Sequence, residues 1–273
     1  MDILKRMQNT VPKIKQSVKY SYSTIYNKKH NLFKAADYTL NSQGKVLRGF
    51  ITKEISTLSS LQEDEAIKLA TIIEIIHLAT LIQDDLPCMD NSDYRRNILS
   101  CHKKFDDATA VLFSTDILIL AIQKLSKLDI KSSTIDYTIQ KIREIYVGQS
   151  LDIENQQNKV KNEIDMLDIY KYKTGSLFSL SLTLPVVIST KSQEIIDILE
   201  LLGYKIGIMF QIKDDLEDNA KHGIQYTKGL KYSQNYIKQS IVGIKKDILS
   251  QTDIYSDFLC SIMNYVFKSY IEL

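Results

Sequence analysis

The chain has 273 residues, 44% of them hydrophobic and 25% charged, enough to build a sizeable core in one large domain or two closely joined halves. Its 35 basic and 33 acidic residues leave a formal charge of +2, which argues against the one-sided basic excess of a general nucleic-acid or membrane-surface binder. Three prolines and nine glycines are too few for the many turns of an all-β fold, so long helices are expected.

In chain order, the segment from Met1 to Lys29 is basic and acid-poor, but Val11, Ile14, Val18 and Ile25 trace an apolar helical face. It therefore reads as a first structural helix rather than a transit peptide. From Ala66 to Ile82 apolar residues occur all round, which predicts a central, fully buried helix. Further helices are expected near 106–125, 134–155 and 164–188, and a second buried one from about Ile195 to Ile212, where Gly203 and Gly207 permit close packing. Ile237, Ile241, Ile244 and Ile248 mark one face of a later amphipathic helix. No segment reads as a bilayer span: the longest uncharged stretch, Thr174 to Thr190, is interrupted by Pro185 and rich in Ser and Thr. Cys88, Cys101 and Cys260 form no metal or disulfide pattern, which fits a reduced cytoplasm. With no linker, repeat or composition break, the expectation is a single all-α domain over 1–273.

Two of the apolar helices end in carboxylates. The first cluster is Gln83-Asp84-Asp85-Leu86-Pro87-Cys88-Met89-Asp90, where Pro87 should stop the helix at about Asp85. Acidic groups at a helix C-terminus face the negative end of the macrodipole, so something cationic should offset them. The second cluster is Gln211-Ile212-Lys213-Asp214-Asp215-Leu216-Glu217-Asp218, with Asp214 and Asp218 one turn apart on one face. Hard oxygen donors without His or Cys suit Mg²⁺, which typically bridges one or two carboxylates to substrate phosphates. An isolated DDxxD is most often a solvated helix end; two of them, each closing an apolar helix, point to a diphosphate site. Cations lie where an anion would need them: Arg95 and Arg96 after the first cluster, and Lys45 and Arg48 in the segment Gln43 to Gly49, where Gly44 would let backbone approach an anion. His77 lies two turns before Asp84 on about the same face.

These motifs resemble those of the trans-isoprenyl diphosphate synthases, the farnesyl and geranylgeranyl diphosphate synthase family. The aspartate-rich motifs are Asp84 to Asp90 and Asp214 to Asp218; the GGKxLRP motif appears as Gln43 to Gly49, GQxLD as Gly148 to Asp152 and KTG as Lys173 to Gly175. All occur in the family order. Gln43, Gly49, Gln83 and Asn97 stand where the family has Gly, Pro, His and Gly. The segment after Lys228 is shorter than the family's, leaving Lys231 as the replacement for a further lysine, and the C-terminus Ser269 to Leu273 lacks the family's basic tail.

The resemblance implies an isoprenoid synthase-type bundle of about ten or more helices around a deep central cavity, usually as a homodimer. It implies that Asp84, Asp85 and Asp90 ligate two Mg²⁺ ions and Asp214, helped by Asp218, a third, with Mn²⁺ able to substitute. Arg95, Lys173 and Lys228 would bind the allylic diphosphate, Thr174 and Gln211 would line the reacting carbons, and Lys45, Arg48, His77 and Arg96 would bind isopentenyl diphosphate. The implied reaction is ionisation, condensation and proton loss, without a covalent enzyme intermediate. The four residues between Asp85 and Asp90 resemble short-chain enzymes, giving C15 or C20 products; Ala79, where bacterial farnesyl synthases carry an aromatic residue, leans towards C20. The rival readings are a non-catalytic partner subunit, which would lose an aspartate cluster, and a class I terpene cyclase, which would lack the Lys45, Arg48 and His77 group.

Overall fold

The computed structural model describes all residues except 1, 24–29, 42–43, 159–162, 190–191, 218–223, 225–227, 252 and 272–273. The chain divides into two compact units, one formed by 1–57 and 61–136, the other by 58–60 and 137–273.

In the first unit, α1 (Ile3–Ser23) buries Met7, Thr10, Ile14, Val18 and Ser21 at helical spacing. Val11 is only half-buried and Ile25 lies outside the described residues, so the buried face runs through Met7 and Thr10 instead. Then come α2 (Asn31–Asn41), α3 (Leu47–Leu58) and α4 (Glu63–Asp84). The N-terminus of α4 carries Glu63, Asp64 and Glu65, and the Glu65 carboxylate accepts from the Gln62 backbone N–H at 3.2 Å, a favourable use of negative charge at that end. As expected, α4 is apolar nearly all round, although Lys68 reaches solvent and Glu74 and His77 are half-buried. It packs on α6 (Asp107–Ser126), whose N-cap Asp106 accepts from the Thr109 N–H at 2.6 Å. By length and composition α6 could cross a membrane, which the sequence reading did not foresee; Phe113, Ile117, Ala121 and Leu125 are nonetheless buried in this unit. Between α4 and the short α5 (Cys101–Lys104) lies a hairpin absent from the sequence expectation, β1 (Tyr94–Arg95) antiparallel to β2 (Ile98–Leu99).

The second unit takes most of α7 (Ser132–Asn158), then α8 (Glu163–Tyr170), α9 (Ser176–Ser189), α10 (Gln193–Glu217), α11 (Leu230–Gln251), α12 (Asp253–Val266) and α13 (Lys268–Ile271). The stretch 164–188, expected as one helix, is divided by a π-helical turn over Lys171–Gly175. Glycines seat that turn. A Cβ on Gly148 of α7 would fall 2.1 Å from the Lys173 backbone N, and one on Gly207 of α10 would fall 2.3 Å from the Gly175 Cα; beyond the turn, on α9, one on Gly203 would fall 2.3 Å from the Ser179 Cα. Only bare backbone can pack so closely. Beside the turn Lys141, 2% exposed, donates to Glu200 at 2.7 Å and Glu144 at 3.2 Å, while Ser176 donates to Glu144 at 2.9 Å.

Candidate active site

The last turn of α4 would leave carbonyl groups without donors. The residues after it fold back to supply them: the N–H of Asp90 donates to the Asp84 carbonyl at 2.9 Å and that of Ser92 to the Asp85 carbonyl at 3.2 Å. This return sets Asp84 and Asp90 beside each other, both half-buried, with Asp85 turned inward at 3% exposure. The expected cation is Arg95, whose Nε donates to both Asp85 oxygens at 3.0 and 3.2 Å while its Nη2 bonds Oδ1. Burial raises the Asp85 pKa against the pull of Arg95, and the nearby Asp90 charge adds to the rise. Burial also disfavours the Arg95 charge, but Asp85, Asp84 and Asp90 outweigh it and hold the guanidinium cationic.

The hairpin turn places Arg96 and Asn97 at φ values of 54° and 66°, the paired left-handed conformation of a two-residue hairpin loop. Asn tolerates this region; Arg96 is held there at a cost of about 1 kcal/mol or more. The Arg96 guanidinium lies over Gly44, where an added Cβ would sit 2.7 Å from Cζ. Gly44 therefore makes room for an arginine, a role different from the backbone approach to an anion expected of it.

Arg48 and His77 meet at 3.2 Å between Nη1 and Nε2. Arginine has only donors, so Nε2 accepts and the ring proton sits on Nδ1, which faces the Glu74 carboxylate at 3.5 Å. Burial and the Arg48 charge push the His77 pKa down to about 4, so the ring is neutral at pH 7. Burial would raise Glu74, but the bonds from His77 and from the Gly49 N–H (2.7 Å) prevail and lower it. Glu74 was missed in the sequence because a lone acid within an apolar helix gives no pattern. Lys45 is exposed.

In the second unit Lys173 donates to Asp152 at 2.6 Å, joining the KTG and GQxLD motifs. Thr174 donates to Gln211 Oε1 at 2.7 Å, and Gln211 Nε2 donates to Asp215 Oδ1 at 2.8 Å. Asp215 Oδ2 accepts from the Tyr170 hydroxyl, which in turn accepts from the Ile224 N–H at 2.9 Å. Burial and Asp215 raise the Tyr170 pKa, keeping the hydroxyl protonated and donating. Asp214, by contrast, has a side chain 40% exposed. The Tyr270 hydroxyl is raised by burial and by the charges of Glu217 and Asp214, which brings the C-terminal helix near this cluster. Lys228 and Lys231 are exposed, and Asp218 and Gln43 lie outside the described residues. Asp152, Tyr170 and Asp215 had no assigned role from sequence; the only signal was the Asp that closes GQxLD.

Among the described residues no three His, Cys, Asp or Glu side chains form a metal cage on their own. Mg²⁺ characteristically keeps waters and takes one or two carboxylates plus substrate phosphate rather than an all-protein shell.

The polyprenyl synthetase family model matches residues 29–233. The chain belongs to this family. It is 34% identical over 208 residues to a farnesyl diphosphate synthase of Micrococcus luteus, covering 71% of this chain and 70% of that one. It is 30% identical over 228 residues to geranylgeranyl pyrophosphate synthase 4 of Arabidopsis thaliana, covering 79% of this chain and 61% of the plant protein. A geranyltransferase from Helicobacter pylori, complexed with magnesium and isoprenyl diphosphate, superposes with a TM-score of 0.82 at 25% identity over 98% of this chain and 97% of its own. The polyprenyl synthetase chain described here thus has the isoprenoid synthase fold and is a short-chain prenyltransferase.

Proposed function

We propose that this enzyme condenses isopentenyl diphosphate with dimethylallyl, geranyl or farnesyl diphosphate to give C15 or C20 prenyl diphosphates. The observation that carries the reading is the repeated arrangement in the two units. Each has a half-buried aspartate at the end of an apolar helix, Asp84 or Asp214, and a cation held on an inner carboxylate, Arg95 on Asp85 or Lys173 on Asp152.

The proposed roles follow that arrangement. Asp84, Asp85 and Asp90 hold two Mg²⁺ ions, Asp85 keeping acceptor capacity because a carboxylate offers about four lone-pair sites. Asp214, with Asp218, holds a third, and Mn²⁺ substitutes. Bound Mg²⁺ neutralises charge on the departing diphosphate. Arg95, Lys173 and Lys228 bind the allylic diphosphate and stabilise the same developing charge. Thr174 and Gln211 line the reacting carbons. Lys45, Arg48 and Arg96 bind the isopentenyl diphosphate; His77, expected to bind it too, has both ring nitrogens engaged by Arg48 and Glu74 and instead orients Arg48, and Lys231 stands in for the lysine of the shortened segment. With Ala79 where an aromatic floor would stand, C20 is favoured.

The enzyme acts as a homodimer in a reduced cytoplasm. Supporting the dimer, Val111, Leu112 and Ile119 of α6 are 46%, 61% and 63% exposed, an apolar stripe on the side of the helix away from α4. Supporting the compartment, all three cysteines are free.

The test is incubation of purified protein with Mg²⁺, radiolabelled isopentenyl diphosphate and each allylic primer, followed by dephosphorylation and sizing of the alcohols. C15 or C20 alcohol is expected; no elongation with any primer would overturn the reading in favour of a non-catalytic partner subunit.

A further inference from the structure

The second aspartate cluster contains two adjacent carboxylates in opposite situations. Asp214 has a side chain 40% exposed, whereas Asp215 is a buried residue at 8% exposure, and each Asp215 oxygen accepts a hydrogen bond. The bonds run in one fixed direction. The Thr174 hydroxyl donates to Gln211 Oε1, which turns the Gln211 amide nitrogen towards Asp215 Oδ1 at 2.8 Å. The Tyr170 hydroxyl donates a hydrogen bond to Asp215 Oδ2 and accepts one from the Ile224 N–H at 2.9 Å. Tyr170 is 4% exposed and Ile224 is fully buried, so solvent does not compete for these bonds.

We infer that Tyr170 and Asp215 are positioning residues: Asp215 is no ion ligand but the acceptor that fixes the Gln211 amide and, through it, Thr174, while the Tyr170 hydroxyl locks Asp215 and ties the Ile224 backbone to it. This rests on the prenyltransferase reading, in which Thr174 and Gln211 face the reacting carbons. The orientation is decided at Asp215 because only a carboxylate can accept from both neighbours. An asparagine there would present its own N–H₂ to either the Gln211 amide nitrogen or the Tyr170 hydroxyl. Phenylalanine at 170 would retain the ring in its buried place but remove both the donor to Asp215 and the acceptor for Ile224.

The test compares the wild-type chain with Y170F, D215N and D214N by steady-state kinetics at varied Mg²⁺, with hydrogen exchange at the Ile224 amide and thermal unfolding alongside. For Y170F and D215N the expected result is a roughly tenfold fall in kcat, the scale of one lost hydrogen bond to a charged group, with half-saturating Mg²⁺ and allylic KM within about twofold of wild type. D214N should instead raise the Mg²⁺ requirement. In Y170F the Ile224 amide should exchange at least about tenfold faster while α10 stays protected. Wild-type kcat in Y170F, or a Mg²⁺ requirement in D215N raised as in D214N, would overturn the inference. If the wild type itself elongates no primer, the prenyltransferase reading fails separately. The Ile224 exchange then still decides the tether: an unchanged rate in Y170F sinks it.

Discussion

The Arg48 guanidinium donates to a neutral His77 across 3.2 Å, and the opposite ring nitrogen faces Glu74 at 3.5 Å. With its pKa pushed from 6.5 to about 4, His77 stays neutral in the folded chain while the unfolded chain takes up its proton first. The unfolded state binds more protons between those values, so this contribution is present above about pH 6.5 and is lost as pH falls towards 4. In full it amounts to about 3 kcal/mol. Glu74, lowered, adds a loss of the same sign below its own ordinary value of 4.5. Urea unfolding at pH 7 and pH 4.5 should show this decline, and His77→Gln should flatten it. An equal pH slope in the variant would show that His77 is not the group responsible.

Replacing Asp84 or Asp214 with Ala should lower turnover by roughly 10²-fold or more, as expected for groups that stabilise developing charge, with the thermal midpoint little changed. The measurement is turnover at saturating Mg²⁺. Wild-type rates in both variants would remove these carboxylates from the reaction.

Ala79 is fully buried in α4. Ala79→Phe should shorten the product, read by sizing the dephosphorylated alcohols, at a packing cost of about 1–3 kcal/mol. An unchanged product distribution in a folded variant would place the chain-length floor on other residues.

Lys141 is a buried cation between Glu200 and Glu144. Lys141→Met leaves those two carboxylates facing each other without it, and the loss should be about 3 kcal/mol in urea unfolding, at the low end for a broken buried pair because Glu200 is 29% and Glu144 18% exposed. Neutral behaviour would mean that the carboxylates are well solvated in the variant.

Much of this was legible in the residues. The long buried helix α4 follows from apolar residues occurring all round, and the first cluster from Pro87 closing it; α10, expected to be buried in the same way, leaves Asp197 and Leu201 exposed. The features that were not legible depend on tertiary contact. Lys171–Gly175 reads as helix in any local window, and it becomes a π turn where Gly148 and Gly207, distant in sequence, meet its backbone. The Tyr94–Leu99 hairpin was hidden because Arg96-Asn97 lacks the glycine that usually announces such a loop. Asp214 and Asp215 are identical in composition and spacing, and only burial separates one from the other.

Five of the glycines differ in evolutionary freedom. At 148, 203 and 207 a library of all substitutions should return glycine alone, because even a methyl group would lie 2.1 to 2.3 Å from backbone that cannot move aside. Gly229 has open space around it but a φ of +91°, so only residues tolerant of that conformation would survive selection. Gly243, exposed on α11 with nothing within 4 Å, has neither constraint, and alanine there should raise stability by about 0.5–1 kcal/mol. The helix around Gly243 is free to drift, while the turn that presents Lys173 and Thr174 is confined to one backbone at two separate codons, 148 and 207.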